Sequence, residues 1–215
     1  MKKDTLSYDA DCRRCPRLAS FLDEVRLQNP HYFARPVPAF GAAQPRLLIV
    51  GLAPGMHGAN RTGRPFTGDY AGILLYQTLY RYGFASAAES LSMDDGLLLT
   101  DCRITNAVKC LPPANKPEGG EVNACNGYLR HEIQGLPQPA VILALGNVAH
   151  AAVLKALGLK LSSCRFAHGA RHELGNGRVL YDSYHCSRYN TQTKRLTEPM
   201  FHAVFEQICD ELKGD

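Results

Sequence analysis

Leu47-Leu-Ile-Val-Gly-Leu-Ala-Pro-Gly-Met-His-Gly-Ala-Asn-Arg-Thr-Gly-Arg-Pro-Phe-Thr-Gly-Asp-Tyr-Ala-Gly72 decides how this chain folds. Leu47 to Val50 is an unbroken apolar run, the pattern of a strand buried on both faces. From Gly51 the chain enters a glycine-rich loop that carries His57, Asn60, Arg61, Arg64, Phe66, Thr67 and Asp69. The spacing predicts a helix over 73–82. A polar loop leaving the carboxyl end of a buried strand is where open α/β sheets bind ligands. Its glycines allow close backbone approach, and its arginines offer forked donors to anions. The bland alternative is a solvated connection, but loops of this length in compact domains are functional or disordered, and the Phe, Arg and Asp content argues against disorder.

The remaining chain repeats the alternation. Strands are expected at 103–110, 140–145 and 178–183, with helices at 17–27, 121–136, 147–157 and 199–213, and a further short helix within 85–100. Residues 30–45, with four prolines, read as irregular. Apolar runs alternating with helical patterns give an α/β fold: one domain over 1–215, a three-layer α/β/α sandwich around a mostly parallel four-stranded sheet.

Composition narrows the class. With 215 residues the chain can bury a sizeable core. The polar start, Met1 to Thr5, lacks a signal-peptide pattern and no window matches a membrane span, so a soluble, intracellular protein is expected. A net charge of +4 is compatible with nucleic acid without demonstrating it. Eight cysteines in a reducing compartment point to metal binding or burial before disulfides. Cys12 and Cys15 form a Cys-x-x-Cys pair entering a helix, and Cys110 and Cys125 form a wider pair; thiolates of this kind suit zinc or an iron–sulfur cluster. Cys102, Cys164, Cys186 and Cys209 read as small hydrophobes.

Three stretches together carry a resemblance. Gly51 to Asp69 resembles the first motif of the family 5 (type b) uracil-DNA glycosylases, Thr105-Asn-Ala-Val-Lys-Cys110 their middle segment, and Ser183-Tyr-His-Cys-Ser-Arg-Tyr-Asn-Thr-Gln-Thr-Lys-Arg-Leu-Thr197 their second motif. The set Cys12, Cys15, Cys110 and Cys125 is similar to the [4Fe–4S] ligands of that family, and implies a structural cluster that ties the N-terminal helix to the body. The resemblance spans roughly Cys12 to Thr197.

The resemblance implies a monofunctional DNA repair glycosylase. It would flip out uracil, with hypoxanthine and other deaminated bases as further candidates, and hydrolyse the N-glycosidic bond to leave an abasic site. Phe66 would stack on the base, Asn106 would read its edge through an amide donor and acceptor, and His185 would donate to the oxygen where charge builds. Gly51, His57, Ser187 and Asn190 complete the substrate-binding set. Arg61, Arg188, Lys194 and Arg195 would meet DNA phosphates, with Arg188 or Tyr189 as a wedge. His168 is a further site candidate. Sister families carry a polar residue after the first glycine of motif one; here Leu52 cannot orient water, as expected within family 5. Asp69 is therefore assigned to the water and to the sugar's positive charge, against the alternative that it caps the next helix. Cys186 replaces a proline common in relatives. A cytoplasmic, nucleoid-associated monomer acting on damaged DNA is expected. The competing reading is a metal-stabilised nucleic-acid-binding module without catalysis. A phosphate-loop enzyme is disfavoured because the Walker lysine spacing is absent.

Overall fold

The computed structural model describes residues 7–214, so the polar Met1–Thr5 start lies outside the described residues. Six strands form one sheet: β1 (Phe40–Gly41), β2 (Leu47–Gly51), β3 (Cys102–Asn106), β4 (Ala140–Leu145), β5 (Arg171–Gly175) and β6 (Arg178–Ser183), in the spatial order β1-β3-β2-β4-β6-β5. The four strands expected from sequence are the parallel centre, β3-β2-β4-β6. The expected count of four is corrected by two antiparallel edge strands. β1 has only two residues, and β5 alternates exposed and half-buried positions and pairs with β6 across a hairpin. Neither presents the apolar run that marks a central strand.

Alternation along the central strands feeds two cores. Leu47, Ile49, Ile104, Leu143 and Tyr181 pack against α3 (Tyr70–Arg81) and α7 (Glu198–Lys213) through Leu75, Leu79, Phe201 and Phe205. Leu48, Val50, Ile142, Ala144 and Leu180 pack on the other face against α4 (Gly119–Gln134) and α5 (Asn147–Leu157) through Leu129, Ile133, Ala149 and Val153. The central strands thus serve both layers, which is why β2 and β4 read as continuous apolar residues. A third cluster docks α1 (Pro16–Gln28) by Leu18, Leu22 and Val25 onto Val108, Leu111 and Tyr128. The N-terminal helix is therefore held by apolar contact.

Three local expectations change. The strand expected over 103–110 ends at Asn106, where residues 107–110 turn under α1. The expected helix within 85–100 is a loop organised by Asp95, whose carboxylate accepts from the Leu91, Ser92 and Leu97 N–H groups. Arg64, read as a possible anion donor, spends its guanidinium on that same Asp95 (2.7 Å), on Ser90 and on the Met93 carbonyl. The glycine-rich loop also contains a short helix, α2 (Ala59–Thr62).

The topology makes a crevice. The chain leaves β2 for α3 on one face and leaves β4 for α5 on the other, so the two loops diverge at the carboxyl end of the sheet. Open α/β sheets take ligands at such a switch point.

Candidate active site

The crevice is a cavity of about 500 Å³. Its walls are the loop after β2 (Leu52, Ala53, Gly55, Ala59, Phe66, Asp69), the end of β3 (Asn106), the start of α5 (Gly146, Asn147, Val148) and the loop after β6 (His185, Ser187, Arg188). The base-binding and catalytic candidates Phe66, Asp69, Asn106, His185 and Ser187 are brought together from segments far apart in sequence.

Gly51 and Asn106 are paired residues on adjacent strands. A Cβ at Gly51 would run into Asn106 Oδ1 and lie 2.6 Å from the Phe66 ring, so glycine is required by close approach. Phe66 has φ +54° and is buried, its ring 5.7 Å from His185 and 26° from parallel. Asn106 is 3% exposed, yet its Oδ1 has no hydrogen-bond partner. His185 Nδ1 is also buried and unpartnered. Buried polar atoms without partners are rare and costly, so two at one cavity mark a place built to receive donors or acceptors from outside. Burial pushes the His185 pKa down to about 4, so the ring is neutral near pH 7.

Asp69 does cap a helix. Its Oδ1 accepts the Gly72 N–H at 3.0 Å at the start of α3, while Oδ2 turns toward Gly58, where a Cβ would lie 2.5 Å away. It lines the cavity as well, so the cap and the cavity role share one side chain. Burial raises its pKa, and the Gly72 and Ala71 N–H groups oppose that rise.

Ser187 caps α6 (Arg188–Gln192), accepting the Asn190 N–H at 3.4 Å. Asn190 lies off the cavity lining and instead donates Nδ2–H to the His185 carbonyl at 2.8 Å, which fixes the loop that carries His185. His57 is exposed, 2.8 Å through Nδ1 from the Tyr32 hydroxyl, and outside the lining. His168 stacks on Tyr184 at 5.1 Å, behind the cavity. Arg188 reaches the rim, its guanidinium 5.9 Å from the Tyr70 ring. Arg61, Lys194 and Arg195 are exposed and outside the cavity lining, with no ion pair among the described residues; Arg195 lies 4.8 Å over Tyr184.

Sequence reading missed part of the wall. Gly146 has φ +96° and α5 begins without a side-chain cap, so its first N–H groups are left for other acceptors at the rim. Tyr70 and Asn115 line the mouth too. The available signal was Gly146 directly after a buried strand, the same strand–glycine–helix pattern as Gly51.

Cys12, Cys15, Cys110 and Cys125 line one cleft beside α1, and none of the four is in a disulfide. Among the described residues, no three of their sulfurs lie within 4.8 Å of one another. A single tetrahedral zinc would hold its thiolates about 3.8 Å apart, given Zn–S near 2.3 Å. The Lys109 N–H points at Cys125 Sγ (3.3 Å). Burial raises the pKa of Cys110, and that of Cys125 to about 11, so both stay protonated without a metal. No helix among the described residues is long and apolar enough to cross a membrane.

Comparison with known proteins agrees with the cavity's chemistry. The Uracil DNA glycosylase superfamily profile matches residues 38–209. The Type-5 uracil-DNA glycosylase of Thermus thermophilus is 49% identical over 198 residues, covering 90% of each chain. That of Pyrobaculum aerophilum is 43% identical over 198 residues, covering 90% of this chain and 86% of its own. In fold, the crystal structure of wild-type SMUG2 from Pedobacter heparinus superposes with a TM-score of 0.52 at 13% identity, over 98% of this chain and 94% of that one. The chain belongs to the uracil DNA glycosylase superfamily and, within it, to the Type-5 uracil-DNA glycosylases.

Proposed function

We propose that this protein hydrolyses the N-glycosidic bond of deoxyuridine in DNA, leaving an abasic site. The observation that carries the reading is that Phe66, Asn106 and His185 line one cavity while Asn106 Oδ1 and His185 Nδ1 are buried without partners. A flipped uracil stacks on the Phe66 ring and offers its N3–H to Asn106 Oδ1, with the amide N–H free for a base carbonyl. As the C1′–N1 bond breaks, its electron pair leaves with the base, and neutral His185 donates a hydrogen bond to the base oxygen that gains charge. Ionised Asp69 faces the sugar, favours its positive charge, and orients the water whose oxygen bonds to C1′, while the proton that water loses ends on the departed uracil anion. Arg188 and the open N–H groups of α5 seat the flanking phosphates, with Arg61, Lys194 and Arg195 as a more distant basic rim. The cavity's size and its apolar Leu52 wall also admit a purine, so hypoxanthine is a second substrate in this reading.

The cysteine set fits a polynuclear iron–sulfur group better than one zinc ion: four thiols, wide spacing and an N–H donor to sulfur. Cys12, Cys15, Cys110 and Cys125 would hold a [4Fe–4S] cluster that cross-links α1 to the body; base excision itself needs no electrons.

The test is alkali-developed strand cleavage of an oligonucleotide with one deoxyuridine, beside undamaged and hypoxanthine-containing controls. Cleavage only after alkali, at the uracil, is the expected result. Intact DNA in every lane, with DNA binding retained, would leave a binding module instead.

A further inference from the structure

Behind the cavity, a second polar cluster takes no part in the chemistry above. Asp182 on β6 is fully buried and its carboxylate is forked: Oδ1 lies 2.8 Å from His150 Nδ1 on α5, and Oδ2 lies 3.1 Å from His172 Nε2 on β5. His150 Nε2 is 3.0 Å from the Cys164 carbonyl. A carbonyl only accepts, so Nε2 carries a proton, and the short Nδ1–Oδ1 contact needs a second proton between ring and carboxylate. The Asp182 backbone is tied as well, its N–H to Ala170 O (3.0 Å) and its carbonyl to the Gly169 N–H (2.8 Å).

These bonds clamp two walls of the cavity to one another. α5 carries His150, and its first residues form one wall; the chain runs from Asp182 and Ser183 at the end of β6 through Tyr184 to His185 on the other. Ser183 O accepts the Gly146 N–H (2.8 Å), and the Tyr184 N–H donates to His168 Nδ1 (3.2 Å). We propose that Asp182, gripped by His150 and His172, is a positioning residue: it sets the distance from His185 to the start of α5 without touching substrate. The proposal rests on His185 acting at the base.

The experiment uses the full chain with its iron content verified. It measures the single-turnover rate at saturating enzyme, and separately the affinity for a duplex carrying a non-hydrolysable 2′-fluorinated deoxyuridine. Asp182→Ala is expected to slow the saturated rate about tenfold to a hundredfold, the scale of an ångström-sized misplacement, with little change in affinity. Asp182→Asn is expected to restore most of the rate, because its amide can donate to neutral His150 Nδ1 and accept from His172 without a charge. His172→Gln, at the half-buried arm, is expected to fall between them.

A folded Asp182→Ala variant with the wild-type saturated rate overturns the proposal. So does equal loss of rate, affinity and thermal stability that Asn does not rescue, since that is a plain structural role. If Asp182→Ala fails to fold, His172→Gln decides: a wild-type saturated rate there overturns the proposal, and a slow rate with intact affinity supports it. One equivalent of zinc that His172→Gln releases, with iron unchanged, overturns it by making the cluster a metal site. His185→Ala is measured alongside. If it stays active the role of His185 fails; if it is inactive while Asp182→Ala is active, only the positioning fails.

Discussion

Asp69 caps α3 and faces the cavity, and both roles draw on one carboxylate. Its folded pKa is raised by burial, so its contribution to stability is present below the unfolded value and is lost as pH rises through the folded one. Near neutrality the ionised group is a cost. Asn keeps the capping oxygen and drops the charge. Asp69→Asn should therefore leave the melting temperature at pH 7 unchanged or higher while single-turnover excision falls about a hundredfold or more. Near-normal excision would return Asp69 to a cap alone. The same shift fixes a pH profile. His185, at about 4, is neutral above that pH, and the ionisation of Asp69 contributes its own acid limb to the wild-type rate. That limb should lie above the ordinary carboxylate value of 3.8 and disappear in Asp69→Asn.

At the scale of elements, the loop after β6 shows what a short helix is for. Five residues are too few for α6 to be stable alone. Ser187 caps it, and Asn190 on its first turn reaches back to the His185 carbonyl. Asn190→Ala removes that bond, worth about 1 kcal/mol or roughly fivefold, and should lower the saturated excision rate by that factor with DNA affinity kept. A large loss of affinity with an unchanged rate would make Asn190 a substrate contact after all. This element was illegible as a helix because Arg188-Tyr-Asn-Thr-Gln192 carries no apolar stripe. β5 escaped notice for a like reason, since Arg171-His-Glu-Leu-Gly175 is a polar edge whose pairing only β6 reveals. The central strands β2 and β4 are readable because burial on both faces leaves them apolar throughout. Within the site, side chains with distinctive chemistry were legible, and the α5 wall was not, because backbone N–H groups leave no residue signature.

For the whole molecule, the third core holds α1 against the 108–111 segment and α4, and the proposed cluster would share that task. In the proposed cluster, Cys15→Ser removes one ligand and leaves Leu18, Leu22 and Val25 in place. Melting temperature and soluble yield should drop clearly, while the excision rate per folded molecule stays within a few-fold of wild type; unchanged stability and iron content with lost activity would contradict this. Basic residues around the mouth give the molecule another global property. Its affinity for DNA should fall as salt rises, with a log–log slope of about −0.9 per phosphate neutralised, and Arg195→Ala should make that slope shallower. The order of the strands has a further consequence. Gly51 and Asn106 stand on strands made early, but His185 follows β6, which pairs only with β4 and β5 near the end of the sequence. During synthesis the ribosome therefore releases the base-stacking half of the crevice well before the half that helps break the bond. A growing chain can fold its first strands and still be unable to take a letter out of the genetic record, and that power arrives only once the last strand has docked.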